Sequence, residues 1–389
     1  MRHIQLPASK SISNRLLVLK FIYEKNLNIQ NLSDSNDTFI FKKLLKQIEL
    51  NASRFEHFSS ECNIETEKIR RILDCEDCGA AYRFLTAVCA VTDGFWRITG
   101  MEVLKKRPVK WLIDVLNEMS LQARGTKAIT FADNGDLLVD GGNLAAIDIH
   151  EYSTESSQFL SALAMIRLKL SPKSQELLYV EKNNLPSKPY FEMTLKLMHQ
   201  VESNINDFMV EADWSACSYF LAAMLLNEKI KEVFFPHLKF SGLQGDQICA
   251  DIFAKFGLIF CEINDGILVK KSNLTVHACP SILQQDFTNC PDLYPTLKML
   301  SWILKIITHF TGTENLIYKE SNRVANMNNE LENFDKNPND YVLKTHNDHR
   351  LAMAFALLKV KNQNVKIENP DCVKKSFPNF WSEFEKMFL

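Results

Sequence analysis

One kind of segment recurs six times along this chain: a polar or charged start followed by about a dozen residues of Leu, Ala, Phe and Met. The copies are SISNRLLVLKFIY from Ser11, GAAYRFLTAVCAV from Gly79, SSQFLSALAMIRL from Ser156, SACSYFLAAMLLN from Ser215, DLYPTLKMLSWIL from Asp292 and DHRLAMAFALLKV from Asp348. Each is apolar around its whole circumference, which is the signature of a helix buried on every side. Between them lie alternating segments that read as strands, among them LLVDGG at Leu137, ELLYVE at Glu176 and GILVKK at Gly266. Amphipathic stretches at 108–119 and 246–256 read as outer helices. The implied unit is an α/β module of roughly 60 residues, most simply divided three and three between two similar lobes.

If the inner helices of a lobe run parallel, their N-termini share a face where unpaired N–H groups and helix dipoles favour anions. Any such anion site is local. The 389 residues carry a formal net charge of -2, so the chain lacks the long-range attraction that nucleic-acid and membrane-surface binders use. The start MRHIQLPASK has no apolar run, and stretches such as 299–307 are interrupted by Lys and too short to span a bilayer. A cytoplasmic protein is expected. Its ten Cys then read as reduced thiols, the lone CxxC of Cys75 and Cys78 included. With only 12 Gly in the chain, Asn and Asp are expected to take the left-handed turn positions, as at 26–31 and 333–340.

The helix starts carry more than caps. LPASKSISNR opens the first and THNDHRLAM the last, with RPVKWLIDVL, SSQFLSAL, LPSKPYFEMTLKLM, QGDQ, PDLYPT and KESNR between them. Taken together and in this order, from Pro7 to Pro378, these segments resemble the enolpyruvyl transferase family, in its shikimate branch. That resemblance implies an α/β fold of two lobes, each of three repeated modules forming an inside-out α/β barrel, with inner helices pointing at an interlobe cleft. It implies a first lobe over 10–211 and a second over 1–9 plus 212–389. The implied reaction moves the carboxyvinyl group of phosphoenolpyruvate to the 5-hydroxyl of shikimate 3-phosphate and releases phosphate. The expected substrates are those two small molecules; no metal, organic cofactor, nucleic acid or membrane partner is implied, and a monomer is the expected state.

The two substrates bring on the order of six negative charges into one place. Seven cations at matching positions answer them: Lys10, Arg15, Arg107, Lys319, Arg323, Arg350 and Lys375. By resemblance, Lys10 touches both substrates and joins the catalytic set. Ser11, Arg15, Ser156, Ser157, Gln158, Ser187, Asn315 and Lys319 are the expected shikimate 3-phosphate ligands, with Asp292 beside them. Gly79, Arg107, Gln158, Arg323, Arg350 and Lys375 are the expected phosphoenolpyruvate ligands, the arginines through bidentate grips. Asp292 matches the family's proton acceptor and Glu320 its proton donor, and Lys319 is expected to hold Asp292 ionised.

Plainer readings stand beside these. Asp292 is also a natural N-cap, Arg107 a salt-bridge partner and Tyr190 a core aromatic. Arg83 and Asp213 read as a capping or interlobe pair, and His349 as a structural histidine. The sequence departs from the family most in DCGAAYR, with Asp77 and Ala80 where Asn and Thr are usual, so an ionised Asp77 is expected to weaken phosphoenolpyruvate binding. Ala8 also replaces the usual Gly before SKS, and PDLYPT lacks the usual small residues after its Asp. Two other functions remain: enolpyruvyl transfer to UDP-N-acetylglucosamine, against which SKS and SSQ speak, and a catalytically silent anion-binding homologue. A nucleic-acid-end-modifying enzyme is disfavoured by the missing basic track.

Overall fold

The computed structural model describes residues 1–58, 71–148, 156–170, 185–272 and 280–388. All six apolar segments are helical: α1 (Lys10–Tyr23), α2 (Gly79–Ala90), α3 (Ser157–Ile166), α4 (Trp214–Leu226), α5 (Tyr294–Ile303) and α6 (His349–Phe355). Every residue of α6 is buried, and in α4 only Leu225 is partly exposed. Such burial requires each polar side chain to find a partner inside. Ser218 donates to the Ser215 carbonyl at 2.6 Å and meets Thr296 of α5 at 2.7 Å; Thr86 of α2 donates to the Tyr82 carbonyl at 2.6 Å.

Three of the six are shorter than their apolar runs suggest, α3 among them, which gives way after Ile166 to the 3-10 stretch Arg167–Lys169. α5 begins only after a 3-10 turn, Pro291–Leu293, because Pro291 and Pro295 remove two backbone donors from the first turn. α6 lasts seven residues before tightening into the 3-10 stretch Ala356–Val360. The amphipathic stretch at 108–119 is the helix Lys110–Arg124, ended by left-handed Gly125, while 246–256 divides into a 3-10 turn, Gly245–Ile248, and the helix Cys249–Ala254. The strands at Leu137 and Gly266 are present as Leu137–Gly141 and Gly266–Lys271; ELLYVE at Glu176 lies outside the described residues.

The chain forms two compact units. One comprises Met1–Lys10, Asn31–Asn36 and Met209–Leu389; the other comprises Ser11–Gln30 and Asp37–Phe208. The excursion at 31–36 has no sign in the sequence. Its anchor is Asn31, whose amide donates to the Val210 carbonyl at 2.7 Å.

Each unit holds a four-stranded sheet of the same plan. In one, Arg71–Asp74 pairs parallel with Gly94–Thr99, which pairs antiparallel with Leu137–Gly141 and, through it, Ile129–Phe131. In the other, Arg2–His3 pairs parallel with Glu232–Pro236, followed antiparallel by Gly266–Lys271 and Leu258–Ile263. Two smaller parallel pairs flank the last inner helices: Ile282–Asp286 with Ile307–Thr311 around α5, and Val342–Leu343 with Lys366–Ile367 around α6. A helix joining two parallel neighbours is the βαβ unit, which aims the helix start at one end of the strands.

The left-handed positions correct one expectation. Asn takes five of them, at 31, 204, 264, 347 and 369, but no Asp does among the described residues. Residues 333–336 continue a helix instead of turning. Several Asp carboxylates are engaged elsewhere, as helix caps at 213 and 348 and as ion-pair partners at 136 and 292.

Candidate active site

In the unit carrying residues 37–208, three motifs meet at the start of α2. A Cβ placed on Gly79 would lie 3.0 Å from one terminal guanidinium nitrogen of Arg107 and 3.5 Å from one of Arg83. Gly79 is therefore where backbone and two guanidinium groups come closest. Arg83 stands one turn along the same helix and donates to the Gln158 amide oxygen at 2.6 Å and to the Pro108 carbonyl. Its guanidinium also lies over the Phe159 ring, 5.5 Å from the centroid. Sequence reasoning kept Arg83 out of the ligand set. The spacing Gly79 to Arg83 was the available signal, since i and i+4 share a helix face.

Arg107 is placed by a buried carboxylate. Asp136 accepts from Arg97 Nε at 2.6 Å, Thr99 at 2.7 Å and Lys105 Nζ at 2.9 Å, fixing the short helix Glu102–Lys105 just before Arg107 to the sheet. Burial acts to raise the Asp136 pKa, but hydrogen bonds from Thr99, Lys105, Asn134 and Arg97 hold it well below the carboxylate range. Arg107 Nε is buried and has no hydrogen-bond partner among the described residues. The salt-bridge reading of Arg107 does not describe this arrangement.

Ser156 caps α3, its hydroxyl accepting from Gln158 N at 3.3 Å, and Ser157 is buried behind it. Ser187 is left-handed, with φ 58°, and turns the chain into the helix Lys188–Glu202. Ser11 is half-buried in the first turn of α1 and its carbonyl accepts from Arg15. Arg15 itself is buried, donating to Thr194 Oγ1 at 2.6 Å and to the Tyr190 carbonyl at 3.0 Å, and burial lowers its pKa to about 10. Tyr190 is half-buried, not a core aromatic, and reaches Arg15 through its main chain.

The other unit presents a different cluster around Arg323, the first residue of the helix Arg323–Lys336. Its guanidinium, 1% exposed, bonds three carboxylates: Asp292 at 2.9 Å, Glu320 at 2.5 Å and Asp348 at 2.8 Å. Arg350 reaches the second oxygen of Asp292 at 2.6 Å, and Lys319 lies 3.9 Å from the first. The carboxylates of Asp292 and Glu320 are thus bridged by one guanidinium. Three of the five N–H donors of Arg323 serve protein acids, so its fork is a carboxylate organiser before it is a bidentate grip.

Burial acts to raise the Asp292 pKa, yet Arg350, then Lys319 and Arg323, outweigh it and hold the carboxyl far below its ordinary range. Lys319 was the expected cause; Arg350, with its direct 2.6 Å bond, is the larger one. Burial lowers the Lys319 pKa in turn, opposed by Asp292. Asp292 is not a cap: the 3-10 turn that carries it has no side-chain cap. Asp348 caps α6 by accepting from Arg350 N at 3.0 Å, and Asp213 caps α4 by accepting from Ala216 N at 2.8 Å. Asp246, on the QGDQ motif, bonds Ser215 Oγ, and burial together with the charge of Asp292 pushes its pKa up to about 7.

Lys10 begins α1 and Lys375 ends the 3-10 turn Pro370–Lys375, 7% exposed. Asn315 lies half-buried in the 3-10 turn Glu314–Tyr318. His349 is fully buried, burial holding its pKa well below the ordinary value, and neither ring nitrogen has a hydrogen-bond partner among the described residues. Glu320, Asp348 and His349 place one ligand atom each within 4.8 Å of one another. Two of the three are carboxylates already bonded by Arg323, so this donor set is neutralised by a guanidinium and poorly suited to a metal cation. The eight described cysteines are all free thiols.

The model of EPSP synthase, 3-phosphoshikimate 1-carboxyvinyltransferase, matches residues 2–384 of this chain. The chain belongs to the EPSP synthase family. Relatives named 3-phosphoshikimate 1-carboxyvinyltransferase include one from Bacteroides fragilis strain YCH46, 30% identical over 98% of this chain and 94% of its own. Another, from Shewanella baltica strain OS185, is 29% identical over 99% of this chain and 96% of its own. A solved EPSP synthase from Acinetobacter baumannii superposes with a TM-score of 0.63 at 15% identity, covering 99% of this chain and 95% of that one. The fold is therefore the mixed α/β fold of EPSP synthase structures. As a member of the EPSP synthase family the chain is a transferase of the shikimate pathway, and the family acts on shikimate 3-phosphate and phosphoenolpyruvate. None of its described helices is long and apolar enough to cross a membrane.

Proposed function

We propose that this enzyme transfers the carboxyvinyl group of phosphoenolpyruvate to the 5-hydroxyl of shikimate 3-phosphate, with Asp292 and Glu320 moving the protons. The observation that carries the assignment is the Arg323 bridge, which joins the two carboxylates in one cluster while Arg350 biases Asp292 toward the ionised form. Asp292 removes the proton of the attacking hydroxyl. As the hydroxyl oxygen bonds to C2 of phosphoenolpyruvate, Glu320 delivers a proton to the methylene carbon, giving a tetrahedral intermediate. A carboxylate then takes a proton back from the new methyl group as the C–O bond to phosphate breaks, which restores the double bond and releases phosphate. Lys10 serves both substrates and neutralises the charge that develops between them.

Shikimate 3-phosphate takes its donors from Ser11, Arg15, Ser156, Ser157, Gln158 and Ser187, with Asn315, Lys319 and Asp292 at the reacting hydroxyl. Phosphoenolpyruvate takes its ligands from Gly79, Arg107, Gln158, Arg323, Arg350 and Lys375. Arg83 joins this second set, on the strength of its approach to Gly79 and its bond to Gln158. Both units contribute ligands, as expected of two lobes of three modules each in the inside-out barrel, divided at 10–211 and 1–9 plus 212–389. The reading calls for no metal or organic cofactor, a monomer, and a cytoplasmic setting.

Phosphate release from phosphoenolpyruvate and shikimate 3-phosphate tests it directly. Release is expected with that acceptor and not with UDP-N-acetylglucosamine. The reverse pattern would overturn the assignment of acceptor, and silence with both would favour a non-catalytic homologue.

A further inference from the structure

Arg350 and Lys375 sit at the ends of two short chain segments that leave neighbouring strands. Val342–Leu343 pairs in parallel with Lys366–Ile367, and the Glu368 amide extends the pairing to the Leu343 carbonyl at 2.9 Å. From the first strand the chain turns through 344–348 into α6 and Arg350; from the second it turns at Asn369 into Pro370–Lys375. Both turns are left-handed at residues that carry side chains: His346 at φ 53°, Asn347 at φ 56° and Asn369 at φ 42°. Consecutive left-handed residues with a Cβ are costly, and they persist only where neighbours over-determine them.

Two sets of neighbours do so. Glu330 is buried on the helix that starts with Arg323, seven residues and two turns along, hence on the same face. Its carboxylate accepts from Lys344 N at 2.8 Å and Tyr341 OH at 3.0 Å and meets His346 Nε2 at 3.1 Å. On the other side, the Asn369 amide donates to the Asn347 amide oxygen at 2.5 Å, tying one left-handed turn to the other. Past the turn, Asp348 caps α6 and accepts from Arg323. One frame thus registers Arg323, Arg350 and Lys375 against each other: Asp348 bonds Arg323 directly, while Glu330, His346, Asn347 and Asn369 have no hydrogen bond or ion pair with those three side chains among the described residues.

We propose that Glu330, His346, Asn347 and Asn369 form a positioning device whose role is to hold Arg350 and Lys375 in the spacing that grips phosphoenolpyruvate. The inference rests on the assignment of those two cations to phosphoenolpyruvate. Its signature is selectivity: a fault in the frame weakens one substrate and spares the other, because the donors assigned to the phosphate and ring of shikimate 3-phosphate lie mostly on other elements.

The test compares Asn347→Ala, Asn347→Gly and Glu330→Gln in the full chain with Arg350→Ala as reference, by initial rates of phosphate release and by thermal unfolding. Asn347→Ala is expected to raise KM for phosphoenolpyruvate by about tenfold while KM for shikimate 3-phosphate stays within about twofold. Asn347→Gly, which keeps the left-handed backbone and loses only the amide bond, should fall between it and the parent. Should Asn347→Ala fail to fold, Glu330→Gln carries the test with the same expected selectivity. If Arg350→Ala raises KM for phosphoenolpyruvate and the frame variants do not, or if they raise both KM values in parallel, the device is refuted. If Arg350→Ala leaves that KM unchanged, the underlying ligand assignment is what fails.

Discussion

The two charged clusters use arginine in opposite ways. At the start of α2, the acceptors of Arg83 include an amide oxygen and a main-chain carbonyl, and Arg107 Nε is buried with no hydrogen-bond partner among the described residues. Around Arg323, one guanidinium serves three carboxylates and Arg350 adds a bond to one of them. Neutral acceptors leave charge available for an incoming anion. Carboxylate acceptors consume it, and in exchange the cations set the protonation of the acids. On the proposed reading the cluster at α2 serves anion capture alone, while the cluster around Arg323 combines a share of anion capture with setting the protonation of the acids.

The sharpest way to break this contrast is to neutralise the acids. Asp292→Asn and Glu320→Gln are each expected to lower kcat by about 100- to 10,000-fold with small changes in either KM, measured by phosphate release. Turnover near that of the parent would remove both residues from the proton-transfer roles. A second comparison sets Arg323→Ala against Arg83→Ala in denaturant unfolding. Removing Arg323 leaves buried carboxylates without their counter-charge and should cost about 3–5 kcal/mol of stability. Removing Arg83 should cost about 1 kcal/mol, its loss appearing instead as a higher KM for phosphoenolpyruvate. Equal stability losses would mean that the two clusters do not differ in kind.

The smallest expected effect concerns Asp246. Its folded-state pKa lies above that of the unfolded chain, so the native state binds the proton more tightly and stability falls as pH rises from about 4 toward 7. Asp246→Asn removes that titration. Its melting temperature should exceed the parent's at pH 8, with the gap closing toward pH 4. A gap that stays constant across this window would place the proton elsewhere.

The inner helices were readable because burial on every side leaves a pattern no surface helix shares, and their polar starts were readable because caps and cations must be written in side chains. The acid pair followed from PDLYPT and KESNR by family likeness. What escaped has physical reasons. The second task of Arg323, joining three carboxylates, escaped because nothing in the sequence states that Asp348 and Glu320 turn toward it. Arg83 looked like a capping partner, because its approach to Arg107 depends on Asp136 pinning a distant loop. The left-handed His346 escaped because its contact with Glu330, sixteen residues earlier, is not written in the local sequence.

The cap of α2 is a thiol: Cys78 Sγ accepts from Ala81 N at 3.4 Å and is closed off from solvent, one residue before the point where Gly79 faces Arg107. A thiol-labelling reagent can reach Cys78 only when this first helical turn comes apart. Its rate of modification, with and without phosphoenolpyruvate, therefore gives a clock for how often the anion-facing end of the helix opens, read from a native side chain with no substitution made.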